Sequence, residues 1–285
     1  MISTRISFAI AALLLTPALA SCADDTESTS SAAATDCDLA APPLKTDGKL
    51  VIGTDSPAYD PWFSEDDPTN GKGYESAVGY AIADQLGIEK DNVSWVTVAF
   101  DTAYAPGDKK FDFDLNQVSI TEERKSAVDL SDSYLDLNQA LVTVKGSPID
   151  GATSIADLKD AKIGVQVGTT SLEAVTTVIS PNTEPQVFNN TADATSALTN
   201  GQVDGIVVDL PTGFYIATAE LDEGVIVGQF PNAEGTATDS FGAPLEKGSP
   251  LTGCVNEAIA NLKADGTLAK LAETYLAEAG APVLK

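Results

Sequence analysis

From Lys49 onward the chain alternates short β-branched runs with stretches of helical periodicity, and this alternation restricts the fold more than any other feature. "KLVIGTD" (49–55) reads as a strand that ends in polar residues. "YESAVGYAIADQLG" (74–87) places Val78, Ile82 and Leu86 four residues apart and stops at Gly87, the pattern of a glycine-terminated helix. "NVSWVTVAF" (92–100) and "FDFDLNQVSI" (111–120) read as further strands. "AKIGVQVGTTSLEAVTTVI" (161–179) reads as strand, glycine turn and helix; a later helix stops at Gly201 ahead of the strand "VDGIVVD". "GCVNEAIANLKADGTLAKLAETYL" is a helix pair split at Asp265-Gly266. The pattern predicts an α/β fold with mainly parallel strands, whose ligands sit beyond the strands' carboxyl ends. Asp55, Asn116 to Thr121, Gly168 to Thr170 and Asp209 fall at such ends. Helix capping accounts for Thr170, and for Ser119 or Thr121, taken singly.

Charge narrows the function classes. The 285 residues include 42 acidic and 16 basic side chains, a net charge of −26, and no histidine. Nucleic acid and docking to anionic lipid both need clustered Lys/Arg, which this chain lacks. Without histidine, Ser-His-Asp and Cys-His catalysis are impossible, and neither a metal site nor a cofactor is expected. The only arginines are Arg5 and Arg124. Arg124 offers the planar fork that holds a carboxylate bidentately, which lysine cannot. The alternative is an exposed ion pair with Glu122 or Glu123. Asp209 closes the otherwise apolar run "GIVVD", as an anionic partner for a ligand or as a cap for the following turn.

The N-terminus reads as a targeting segment. "FAIAALLLTPALA" (8–20) is apolar but short and interrupted by Pro17. Leu19-Ala20-Ser21-Cys22 resembles the lipobox of bacterial lipoproteins, which implies lipidation of Cys22; an ordinary secretory signal is the alternative. Residues 1–21 are then a signal peptide and 22–46 a flexible tether, rich in small polar and acidic residues. In an exported chain, Cys37 and Cys254 are expected to form a disulfide, the alternative being two buried thiols.

Six segments, in order, resemble the extracytoplasmic amino-acid-binding proteins of ABC importers, solute-binding protein family 3. They are "KLVIGTDSPAYDPW", "GKGYESAVGYAIADQLG", "VSITEERKSAVDLSDSY", "IGVQVGTT", "VDGIVVD" and "LKADGTLAKLAETYL", spanning roughly Lys49 to Tyr275. The resemblance implies a two-lobed fold of periplasmic-binding-protein type II, with lobe 1 from residues 47–135 plus 241–285 and lobe 2 from 138–238. Hinge crossings fall near Leu135–Gln139 and Ala237–Phe241. It implies a monomer, lipid-anchored to the outer face of the cell membrane, that captures a small-molecule amino acid and delivers it to an ABC permease without catalysis. A ligand sensor that feeds a receptor, or a cyclohexadienyl-type dehydratase on the same fold, are the alternatives.

The resemblance also distributes roles. Arg124, with backbone donors at Ser119 and Thr170, would hold the ligand carboxylate. Asp209, Ser119 and Gln117 would accept from its ammonium. Asp55, Tyr59 or Trp62, Glu75, Phe100, Asn116 and Gln166 would line the side-chain pocket. Asn116-Gln117 departs from the small residues common there. Asp55 and Glu75, with no basic neighbour, favour a cationic or neutral polar ligand.

Overall fold

The computed structural model describes residues 37–230, 239–276 and 280–285. The expected signal peptide, Cys22 and part of the second expected crossing lie outside the described residues. Strand β1 (Leu50–Thr54) pairs in parallel with β2 (Val93–Thr97) and β3 (Phe113–Asp114), giving a three-stranded sheet of order β2-β1-β3. Helix α1 (Tyr74–Gln85) packs Val78 and Ile82 with Leu50 and Ile52 in the first core. It ends ahead of Gly87, as its periodicity predicts. Short helices α2 (Phe100–Ala103) and α3 (Glu122–Ala127) follow, then β4 (Asp129–Leu130). The run 111–120 is a strand only at Phe113–Asp114, because the chain then leaves the sheet and Gln117 turns into left-handed backbone at φ 51°.

Strand β5 (Leu135–Leu137) leads through Asn138 into β6 (Gln139–Val144), the first strand of a second sheet. That sheet also holds β7 (Ile163–Gln166), β8 (Gln186–Phe188), β9 (Gly205–Asp209) and β10 (Gly224–Phe230), in the order β10-β6-β9-β7-β8. β7 pairs in parallel with β8 and β9, whereas β6 is antiparallel to both β9 and β10. The sheet is therefore mixed, with β6 entering directly from the hinge rather than through a crossover helix. Helices α4 (Thr170–Ala174), α5 (Thr191–Thr199) and α6 (Leu210–Tyr215) follow β7, β8 and β9. Strand β11 (Asp239–Phe241) runs antiparallel to β5, so two hinge strands lie side by side. The short strand β12 (Pro244–Leu245), paired with β4, and helices α7 (Thr252–Ala264) and α8 (Thr267–Tyr275) then pack on the first core.

Two expectations change. The tether expected to extend to residue 46 is folded from Cys37 on. Cys37 is disulfide-bonded to Cys254 of α7, Leu39 and Leu44 pack on the first core, and Lys45 N donates to Asp112 Oδ1 at 2.8 Å. The C-terminal residues, expected in lobe 1, lie on the second sheet. Leu284 N donates to Gln229 O at 3.0 Å, Gln229 N donates to Pro282 O at 2.8 Å, and Leu284 is buried in the second core. Gly228 admits this tail, since a Cβ there would collide with Leu284 and with the Pro282 carbonyl.

Candidate functional site

Between the two sheets lies a cleft lined by the carboxyl ends of β1, β7 and β9, by the segment after β3, and by the starts of α4 and α6. Arg124 is only 6% exposed. Thr121 caps its helix, accepting from Arg124 N at 3.1 Å, so the local S-I-T-E-E-R order sets the arginine one turn in. The guanidinium donates from Nη1 to Ser119 O at 2.8 Å and from Nη2 to Gly168 O at 3.0 Å, the second bond reaching the opposite lobe. It also stacks over Phe100 and Tyr104, at 5.5 and 4.4 Å from the ring centroids. Among the described residues no carboxylate pairs with it; Glu122 is taken by Lys125. It is the one basic residue among those that line the cleft.

Ser119 Oγ lies 3.1 Å from Thr170 Oγ1 across the cleft. Thr169, not Thr170, caps α4, which leaves Thr170 free of that structural duty. Asp209 occupies the N-cap position of α6 but caps it with no side-chain hydrogen bond. Its Oδ1 instead accepts from Gln139 Nε2 at 2.6 Å, and the same nitrogen donates to Asp239 Oδ2 at 2.5 Å. Gln139 Oε1 accepts from Ser171 Oγ at 2.5 Å. One buried amide thus ties Asp239 of hinge strand β11 to Asp209 at the end of β9 and to Ser171 of α4. Burial first, then the Asp239 charge, pushes the Asp209 carboxyl up to about 8, while the Gln139 bond and Arg124 pull it down.

Asp55, Tyr59, Trp62, Phe100, Asn116, Gln117 and Gln166 also line the cleft. Asp55 is held by backbone N–H groups of Ser56 and Phe100, at 2.7 and 3.3 Å. Trp62 is both wall and core. It is 1% exposed and packs edge-on against Tyr74 and Phe241, and its Nε1 donates across the cleft to Thr212 Oγ1 at 2.9 Å. Gln166 accepts from Thr191 Oγ1 at 2.9 Å. Thr54 Oγ1 and Asn116 Nδ2 are buried without a partner among the described residues, a polar demand that an apolar guest would leave unmet.

Glu75 does not line the cleft. It is fully buried, and its carboxylate is occupied by Gln117 and by Tyr134, because the helix start that carries it points under the cleft floor. The Gln117 side chain is likewise turned onto Glu75 Oε2. Sequence reasoning missed Asp60, Thr212, Tyr215 and Glu220 on the cleft wall, and Gln139 and Asp239 behind Asp209. Gln139 and Asp239 carry no local signal, since they meet only when β11 pairs with β5, the strand that leads into Gln139.

Two α/β lobes around a polar cleft, joined by paired hinge strands, make this a two-lobed binding-protein fold. Residues 50–278 match the model of the bacterial extracellular solute-binding proteins, family 3, and the chain belongs to that family. Over 245 residues it is 29% identical to the L-cystine-binding protein TcyJ of Escherichia coli, covering 85% of this chain and 86% of that one. It is 27% identical to the L-arginine-binding protein of Pseudomonas aeruginosa, covering 83% of this chain and 91% of the relative. Among solved structures, an ancestral arginine-binding protein bound to arginine superimposes with a TM-score of 0.66 at 32% identity, covering 81% of this chain and 99% of that one. The ancestral amino acid-binding protein described as a precursor of cyclohexadienyl dehydratase matches with a TM-score of 0.66, at 32% identity and 81% and 96% coverage. These relatives are named as binding proteins.

Proposed function

We propose that the cleft captures an amino-acid zwitterion outside the cell and that the protein delivers it to an ABC permease. In this reading it acts as a monomer held at the membrane by lipid on Cys22. The observation that carries the reading is Arg124: a buried guanidinium with no carboxylate partner, in a cleft that otherwise presents acids. Arg124 receives the ligand carboxylate, with Ser119 and Thr170 beside it. Asp209 receives the ammonium, helped by Ser119 and by the backbone of Gln117. Asp55, Asp60 and Glu220 on the walls favour a cationic or neutral polar side chain and disfavour an acidic one. Lobe 1, from residues 37–135 and 241 to the end of α8, and lobe 2, from 138–238 with the tail 280–285, close over the ligand, and closure is stabilised by the ligand's differential affinity for that state. The ligands named for the relatives, cystine and arginine, both fit this polarity.

A thermal-shift screen of the chain, stripped of carried-over ligand by unfolding and refolding, tests the reading against the common amino acids. A ligand at about 100 times its dissociation constant adds roughly 2.7 kcal/mol, or several degrees for a chain this size. Selective shifts by polar or basic amino acids are expected. A folded protein that no amino acid shifts would sink the reading and bring the sensor or dehydratase alternatives forward, with turnover of prephenate as the check on the latter.

Binding also carries a pH signature. Asp209 must be ionised to hold an ammonium, and without a bound ligand it carries a proton below about 8. Affinity is therefore expected to fall by up to about tenfold as pH drops from about 8 to about 7, with a proton released on binding. The same raised carboxyl contributes stability to the unliganded fold at low pH that is lost progressively as pH rises from about 4 to about 8. Calorimetry across this range checks the affinity, and Asp209→Asn should flatten the profile as well as weaken binding.

A further inference from the structure

Beneath the cleft, Glu75 forms a three-donor hub that the binding reading leaves unexplained. It is the second residue of α1 and is 0% exposed. Its Oε1 accepts from Gln117 N at 2.8 Å and from the Tyr134 hydroxyl at 2.5 Å, and its Oε2 accepts from Gln117 Nε2. Gln117 has φ 51°, a conformation that a residue with a side chain keeps only when its surroundings over-determine it. Here both of its donors, main chain and side chain, end on one buried carboxylate. The residues after it are clamped to the second hinge strand: Gly242 N donates to Val118 O at 3.0 Å and Ile120 N to Ser240 O at 2.8 Å. Tyr134, the third donor, lies immediately before β5, and its own N–H donates to Phe241 O at 2.9 Å. Tyr74, beside Glu75, donates its hydroxyl to Tyr134 O at 2.8 Å.

We propose that Glu75 is a positioning residue: it touches no ligand, but holds Gln117 in left-handed backbone so that the cleft floor presents the Gln117 main chain, and it ties that floor to the hinge through Tyr134. The glutamine that would otherwise crowd the chamber is folded away onto Glu75, and Asn116 on one side and Ser119 on the other are set by the same turn. This role rests on the cleft being the ligand site. It assigns Gln117 to the ligand through its backbone alone.

The test uses four variants, titrated calorimetrically with L-arginine, L-cystine and L-glutamine in separate runs. Glu75→Met keeps the buried volume but removes every acceptor, and should weaken binding by about tenfold or more without lowering the melting temperature in proportion. Glu75→Gln should bind within a few-fold of wild type, because its amide oxygen still accepts from Gln117 N while a flipped Gln117 amide accepts from its nitrogen. Gln117→Gly should lose less affinity than Glu75→Met, and added to Glu75→Met it should recover most of the loss, since glycine keeps positive φ without an anchor. A Glu75→Met protein that binds like wild type overturns the role. So does a Gln117→Gly protein that binds as poorly as an Arg124 variant, an outcome that stands even if Glu75→Met does not fold. If none of the three binds wild type, the thermal-shift screen supplies the amino acid for these titrations; if no common amino acid binds, the binding reading has failed rather than this one. Hydrogen exchange at the Gln117 amide of the ligand-free protein then decides. Exchange at least about tenfold faster in Glu75→Met supports the role, and unchanged exchange overturns it.

Discussion

Replacing Arg124 with alanine is expected to weaken amino-acid binding by about a hundredfold or more, because truncating one partner of a buried charge pair costs roughly 2–5 kcal/mol. The guanidinium is held within lobe 1 by Ser119 O and two aromatic faces, and closure adds the Gly168 carbonyl of lobe 2. Its fork therefore loses little freedom on binding. Arg124→Lys is expected to recover only part of the loss. An ammonium supplies charge but cannot donate to Ser119 O and Gly168 O while presenting two parallel donors to a carboxylate. Titration calorimetry with the amino acid found by thermal shift measures both variants. Wild-type affinity in Arg124→Ala would mean that the ligand carboxylate is held elsewhere.

Asp114→Asn is expected to stabilise the fold near neutral pH relative to its effect near pH 4. Asp114 lies on β3, 0% exposed, and neither carboxyl oxygen has a hydrogen-bond partner among the described residues. Its register partner is Gly53, and the Asp114 carboxyl fills the space that a Cβ at Gly53 would take. Burial first, then the charges of Glu75 and Asp55, pushes its pKa well above the usual carboxylate range, with Lys109 pulling the other way. The folded state therefore holds a proton that the unfolded chain releases. Stability is lost as pH rises above about 4, by up to about 1.4 kcal/mol per pH unit until the folded carboxyl itself ionises. Asparagine has no such proton, so the gain should be largest near pH 7 and shrink towards pH 4. Urea unfolding of both proteins at the two pH values checks this. An effect that is equal at both would mean that the carboxyl is ionised and satisfied in the fold.

Much of the fold was legible because its elements are local. The Val78, Ile82 and Leu86 spacing predicts α1, the Gly87 stop matches its end, and the strand "VDGIVVD" appears as β9 ending at Asp209. The one arginine beyond the N-terminal segment of an acidic chain pointed to Arg124 for a chemical reason, the bidentate fork that a lysine lacks. Glu75 shows the opposite case. Its sequence neighbours place it beside the cleft motifs, yet one turn of α1 is enough to aim its carboxylate under the floor instead of into the chamber.

The sequence by itself determined the α/β alternation, the helix stops, the Thr121 cap that sets Arg124 and the sign of the cleft's charge, since each depends on residues a few positions apart. Only the tertiary structure decided that Gln117 turns away, that Gln139 spans Asp209 and Asp239 from 70 and 100 residues' distance, and that the C-terminal tail crosses to the second sheet. Those contacts arise where distant strands pair and close over each other, and no periodicity in the chain encodes which side chains will meet there.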